Sequence, residues 1–138
     1  MFFLKDEGFE YSKTQLKTEV IDINNLEDGF TQLQLRFTFD FNSGAFSHEV
    51  TWSNHDIELI VSQLENLRLS GEITAIEPEI SFSYQKMEKN LYTFYIHFDN
   101  GMIHSNMGTD SGISLRLIVN RQSLVKWARQ LTKLLHHT

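Results

Sequence analysis

Strict alternation of apolar and polar residues over 33–41 is the feature that most constrains the fold. The segment reads LQLRFTFDF, with a large apolar residue at every odd position and a polar one between each pair. Successive side chains of a β-strand point to opposite faces, so this pattern predicts a strand with one buried and one solvated face. Residues 46–52 alternate in the same way and predict a second strand, which forms an antiparallel hairpin with the first.

The turn of this hairpin is predicted at residues 42–45, with Gly44 at a position where a positive φ costs little. Closing the hairpin on Phe41 and Phe46 would place Phe37 opposite Val50. It would also collect all the large apolar side chains of both strands on one face of the sheet.

Two amphipathic helices are predicted, each directly after a strand. Ser53 or Asn54 can cap the first helix, and Asn120 can cap the second. Each helix has apolar residues at helical spacing, which form one stripe for burial. The stripes consist of Ile57, Ile60, Val61, Leu64 and Leu67, and of Leu124, Trp127, Ala128, Leu131 and Leu134.

Further alternating segments predict strands over 80–84, 92–98 and 113–119, and weaker patterns occur at 18–23 and 73–76. The dipeptide at 100–101 is Asn-Gly, a strong signal for a two-residue hairpin. A turn there would pair Phe98 with Ile103 and His97 with His104.

Strands and helices that are each apolar on one side predict an α+β fold. In this fold an antiparallel meander sheet carries both amphipathic helices on one face. The strand–helix segments 46–67 and 113–134 align residue for residue. This alignment suggests that a single domain, residues 1–138, contains two similar β-meander–helix halves, 17–70 and 71–138. The competing explanation is that any strand followed by an amphipathic helix would align in this way.

Charge is distributed unevenly along the chain, whose net charge is -6. All 18 acidic residues precede residue 111, and the segment after it carries five bases and no acid. An acidic body attracts basic partners and repels nucleic acid, although acidity also serves solubility alone. Arg121, Lys126, Arg129 and Lys133 on the last helix could contact nucleic acid. Cations near a helix C-terminus are also favoured by the helix dipole, which is the interpretation we prefer.

Several classes of protein are disfavoured by what the chain lacks. It has no cysteine, which rules out disulfides and thiolate chemistry. The first residues, MFFLKDE, do not resemble a secretory signal, and no apolar run reaches the ~20 residues of a membrane span. We therefore expect a cytoplasmic protein that does not enter membranes.

Catalytic motifs are also missing. The sequence has no phosphate-binding glycine loop, nucleophile elbow or His-Glu-x-x-His helix, so we expect a protein without enzymatic activity or cofactor. The alternative is a small metal-dependent enzyme or metal-binding protein that uses His97, Asp99 and His104, since two histidines and a carboxylate can hold zinc or iron. Solvated cross-strand histidines explain the same residues. His48, on the apolar face of its strand, is either a tuned base or a histidine at the rim of the core.

The order of features over 33–135 resembles the WapI family of immunity proteins. The similar stretches are residues 35–41, 44–47, 63–67, 71–72 and 115–135. The resemblance implies a non-enzymatic cytoplasmic protein that binds and neutralises a secreted bacterial toxin domain, often a nuclease. Nuclease toxins tend to be basic, so exposed acids would steer the two proteins together. The candidate acids are Glu27, Asp28, Glu72, Glu77, Glu79 and Glu88.

A third hypothesis is a structural or oligomerising module that uses open strand edges. It is distinguished from the others by the mass of the protein in solution.

Overall fold

The computed structural model describes residues 1–76, 79–99 and 112–136. Its first half is a four-stranded antiparallel sheet in which each strand pairs with the next one along the chain. An α-helix follows the last strand. The elements are β1 (Phe2–Lys5), β2 (Gln15–Asn25), β3 (Thr31–Phe41), β4 (Gly44–Ser53) and α2 (Asn54–Glu65). A short helix, α1 (Phe9–Ser12), lies between β1 and β2, and a 3-10 turn (Glu27–Gly29) lies between β2 and β3.

The second half repeats this arrangement, with a four-stranded antiparallel meander followed by a helix. Its elements are β5 (Ser70–Thr74), β6 (Ile80–Lys86), β7 (Leu91–Asp99), β8 (Gly112–Asn120) and α3 (Arg121–Leu134). The predicted α+β class and the two β-meander–helix halves are therefore confirmed. The N-terminal residues supply β1 and β2 to the first sheet, and of these two strands only β2 was predicted, by the weak pattern at 18–23.

The apolar faces of β3 and β4 are as predicted, but their register is not. Phe41 pairs with Gly44 and Phe37 pairs with His48, so the loop has two residues instead of four. Gly44 belongs to the strand and does not have a positive φ, and the reason given for a glycine there is wrong. A shift of two residues leaves every side chain on its original face, and alternation alone cannot detect such a shift.

The pairing predicted for β7 is also wrong. His97 has Ser81 as its neighbour on one side and Ser114 on the other, and Phe98 pairs with Ile113. Described residues thus occupy both positions beside His97 in the sheet. Residues 100–111, which include His104, lie outside the described residues.

Both helices begin as the sequence predicts. Ser53 Oγ accepts a hydrogen bond from the Asp56 N–H, and Asn120 Oδ1 accepts one from the Ser123 N–H. These side chains satisfy backbone donors that the first turn of a helix leaves open. The two helices contact each other, and their apolar stripes enter one core cluster that also includes residues of both sheets.

The edges of the two sheets meet at the end of β1. The Glu7 N–H donates to the Ile118 carbonyl on β8 at 2.7 Å, and Asp6 Oδ1 accepts from the Ile118 N–H at 2.8 Å. A backbone group and a carboxylate therefore connect the first half to the second. Within the described parts of the chain, no helix combines the length and apolar character needed to cross a membrane.

Candidate functional site

The N-terminal end of α2 holds the loop between β2 and β3 in place. Asn54, the first residue of the helix, accepts a hydrogen bond from the Thr31 N–H at 3.1 Å through Oδ1. Its Nδ2 donates to the Gly29 carbonyl at 3.3 Å. The loop is also closed internally, since the Leu26 N–H donates to the Phe30 carbonyl at 2.8 Å. The Asn54 side chain fixes the position of the 3-10 turn relative to the helix.

Asp56 holds a second segment against the same helix end. Its Oδ2 accepts from the Ser53 N–H at 2.8 Å and from Ser53 Oγ at 3.1 Å, which completes a capping box. Its Oδ1 accepts from the Ile76 N–H at 2.7 Å. Asp56 is only 4% exposed. One buried carboxylate therefore both caps α2 and positions the segment that follows β5.

Large apolar side chains are exposed in all three segments. Ile76 is 71% exposed and Leu26 is 53% exposed. The Phe30 ring contacts the His55 ring edge-on, with the ring centroids 5.0 Å apart. Leu59 lies one helical turn after His55 and is also exposed. We call the set Leu26, Phe30, His55, Leu59 and Ile76 the helix-end surface.

The charges of these segments have one sign. The exposed residues Glu27 and Asp28 lie in the loop beside Phe30, and Glu58 lies on α2 beside Leu59. Residues 26–30, 54–59 and 75–76 include no lysine or arginine. The exposed apolar residues of the helix-end surface therefore have acids, and no lysine or arginine, as their charged neighbours in these segments.

Of the six acids predicted to meet a partner, the five that the structure describes do not form one cluster. Glu27 and Asp28 border the helix-end surface. Glu79 lies beside His48, with 3.5 Å between the Glu79 Oε2 and His48 Nε2 atoms. Glu72 is exposed on β5 and Glu88 is exposed in the turn after β6, whereas Glu77 lies outside the described residues.

Sequence reasoning did not identify the apolar members of the helix-end surface. Phe30 and Ile76 flank strands, and Leu59 interrupts the exposed face of an otherwise amphipathic helix. The available signal was a large apolar residue outside the predicted core pattern. That signal is weak, because single exposed apolar residues are common.

His97 lies on the outer face of the second sheet between two serines. Ser83 Oγ is 2.7 Å from its Nε2 and Ser114 Oγ is 2.8 Å from its Nδ1. A neutral imidazole donates from one nitrogen and accepts at the other, so these contacts can satisfy both nitrogens. Among the residues that the structure describes, no three histidine or acidic side chains are grouped to hold a metal ion. The Asp99 side chain and His104 are not among them.

We expect purified protein to carry no zinc or iron in proportion to the chain. Binding through His97 would require one serine to give up a hydrogen bond of 2.7 or 2.8 Å. Elemental analysis checks this expectation. The matched variants are His104→Ala and His55→Ala, the second being an exposed histidine elsewhere. A bound metal that His104→Ala removes and His55→Ala retains would contradict the prediction and support the metal-dependent alternative.

Two other residue groups from the sequence analysis can be placed. The side chain of His48 is 24% exposed and contacts the Phe98 ring, so this histidine sits at the rim of the core. The bases of α3 are exposed. Only Lys133 lies in the last turn of α3 and Arg121 is its first residue, so the helix dipole accounts for Lys133 and not for the other bases. The four bases are Arg121, Lys126, Arg129 and Lys133.

Comparison of the chain with protein-family models, with curated proteins and with solved structures found no match. The resemblance to the WapI family therefore remains an expectation from the sequence.

Proposed function

We propose that this protein is a cytoplasmic, non-enzymatic protein-binding domain, and specifically an immunity-type inhibitor that neutralises a basic bacterial toxin domain. The helix-end surface is the contact site. The observation that carries the proposal is the exposure of Leu26, Phe30 and Ile76 around one helix end whose charged neighbours are acids.

The composition of this surface supports protein binding. Interfaces combine an apolar centre with a polar rim, and exposed apolar clusters with such a rim mark interaction sites. Phe30 and Ile76 would supply the anchors that enter the partner. Glu27, Asp28 and Glu58 would raise the rate of association with a basic protein and disfavour acidic ones.

The rigidity of the surface is a second support. The loop that ends at Thr31 and residue Ile76 are both fixed to α2 by hydrogen bonds with the side chains of Asn54 and Asp56. A surface that is ordered before binding loses less conformational entropy when the complex forms. This arrangement suits an inhibitor that must bind its target tightly.

The expected result is a salt-sensitive complex with one basic protein. Tagged protein is purified from its own organism at low and high ionic strength, and the retained proteins are identified by mass spectrometry. The Debye length, over which exposed charges still attract each other, is about 10 Å at 0.1 M salt and shorter at higher salt. The amount of partner retained on the tagged protein should therefore fall as the salt concentration rises. The purified partner is then assayed for toxic activity, which added inhibitor should abolish.

Charge reversal separates the helix-end surface from net charge. Glu27→Lys with Glu58→Lys should slow association, whereas Glu10→Lys with Glu65→Lys changes the net charge equally at exposed positions elsewhere. Equal slowing in both double variants would assign the effect to overall charge. A partner whose activity is unaffected by this protein would contradict the inhibitor proposal.

A further inference from the structure

A groove of about 330 Å³ lies between the C-terminal half of α2 and β5, which is an edge strand of the second sheet. It is separate from the helix-end surface, and its volume is at the small end of the range for ligand sites. Gln63 lies at one end and Arg68 at the other. The remaining lining residues are Ser62, Asn66, Ser70, Gly71, Glu72, Ile73 and Tyr84.

The side chain of Gln63 shows how the free edge of β5 is oriented. Its Nε2 donates to the Thr74 carbonyl at 3.0 Å, and its Oε1 accepts from the Thr74 N–H at 3.4 Å. The backbone groups of Thr74 therefore point away from β6 and toward the helix. The amide of Gln63 bonds to both of them, as the backbone of a further strand would.

Backbone groups of an antiparallel edge strand alternate in direction, so those of Glu72 point outward like those of Thr74. The backbone groups of odd-numbered residues should then point toward β6. The Leu69 carbonyl does so, since it accepts a hydrogen bond from the Lys86 N–H at 2.7 Å. No described residue hydrogen-bonds to the backbone of Glu72 on this side. One donor and one acceptor with strand geometry are therefore open in the middle of the groove.

The end of the groove at Arg68 is shaped by close packing. A Cβ atom on Gly71 would lie 2.8 Å from the Tyr84 hydroxyl, so a glycine is needed for this contact. The Tyr84 hydroxyl in turn accepts from the Arg68 N–H at 3.0 Å. The guanidinium of Arg68 is exposed and has no carboxylate partner among the described side chains.

We infer that this groove binds an extended peptide with a free C-terminal carboxylate, as an additional strand on β5. An added antiparallel strand runs from the Thr74 end of β5 toward its start, so its C-terminus arrives at Arg68. The backbone of Glu72 supplies one hydrogen-bond donor and one acceptor, and Arg68 supplies the charge for the carboxylate. Gln63 limits the added strand at the other end.

The test uses two synthetic pools of acetylated random pentapeptides, one with a free C-terminal carboxylate and one with a C-terminal amide. Both pools are passed over the immobilised full chain, and retained peptides are identified by mass spectrometry. The free-acid pool should yield peptides that bind at least about tenfold more tightly than their amidated twins. No retention from either pool, or equal retention from both, overturns the inference.

Two variants at one position isolate the backbone contact. Glu72→Pro removes the outward N–H without touching the groups that pair with β6, whereas Glu72→Ala keeps that N–H. A selected peptide should lose about tenfold in affinity for the proline variant and keep its affinity for the alanine variant. Equal affinity for both variants overturns the inference. A peptide that is N-methylated at its central residue repeats the test on the unaltered protein, and unchanged binding there has the same meaning.

Arg68→Gln should reduce binding of the free-acid peptide about tenfold and leave its amidated twin unaffected. The amide resonance of Glu72 should move on binding while that of Thr74, which Gln63 already holds, moves less. These readouts do not depend on the helix-end surface. Peptide binding can therefore succeed or fail independently of the proposed inhibitor function.

Discussion

Replacing Asp56 with alanine is expected to lower the free energy of unfolding by about 3 kcal/mol. The carboxylate is 4% exposed and accepts hydrogen bonds from the Ser53 N–H, the Ser53 hydroxyl and the Ile76 N–H. Alanine leaves two partly buried backbone donors without this acceptor, and a fully buried donor without a partner costs about 1–3 kcal/mol. Chemical denaturation with a two-state fit measures the change.

Two variants on the same helix calibrate this effect. Ser53→Ala removes the N-cap hydroxyl and leaves the Asp56 carboxylate, so we expect a loss of about 1 kcal/mol. Glu58→Ala removes an exposed acid from the next turn and should change stability by less than about 0.5 kcal/mol. A loss for Asp56→Ala no larger than that for Ser53→Ala would contradict the role given to the Ile76 contact.

The Asp56 contacts also show why sequence reasoning reached the cap and not its second role. The spacing of Ser53 and Asp56 is local, and it predicts that an acid near the helix start is favourable. The bond to Ile76 joins residues that are far apart in sequence and lie in different halves of the chain. It depends on how β5 leaves its sheet, which no local pattern specifies.

The same limit explains the two errors in strand pairing. Alternation assigned the faces of β3 and β4 correctly, since it records which side of a strand is buried. A shift of two residues preserves those faces, so Phe37 could face Val50 or His48 with the same pattern. For β7, the local turn signal at 100–101 favoured a nearby partner. The structure instead pairs β7 with β8, across the longer connection, where Leu117 and Val119 bury their side chains in the core.

Glu27 and Asp28, which border the helix-end surface, were among the predicted acids, whereas Glu58 and the apolar residues of the surface were not predicted, for a related physical reason. The attraction between an acidic protein and a basic partner acts over a distance, so acids such as Glu27 and Asp28 can be proposed as contributors without knowledge of the fold. Phe30, Leu59 and Ile76 become a surface only when the two loops are held at one helix end. Each of them taken alone looks like an ordinary flanking residue.

Replacing Ile76 with serine is expected to weaken the complex with the basic partner about 30-fold, since a hot-spot anchor contributes about 2 kcal/mol or more. Ile76 is 71% exposed in the free protein, so folding buries little of its side chain. The serine substitution therefore removes little buried apolar area, and the melting temperature should hardly change. Titration calorimetry with the purified partner gives the affinity. Thermal unfolding of the free variant gives the stability.

Leu69→Ser is the matched control for this experiment. Leu69 is 75% exposed and precedes β5, whereas Ile76 follows β5, so the two residues lie beyond opposite ends of one strand. The same chemical change at Leu69 removes a similar exposed side chain at a place remote from α2's N-terminal end. Retained affinity in Leu69→Ser beside weakened affinity in Ile76→Ser would assign the binding energy to the helix-end surface. Equal loss in both variants would contradict that assignment, because it would indicate a general effect of exposed apolar area.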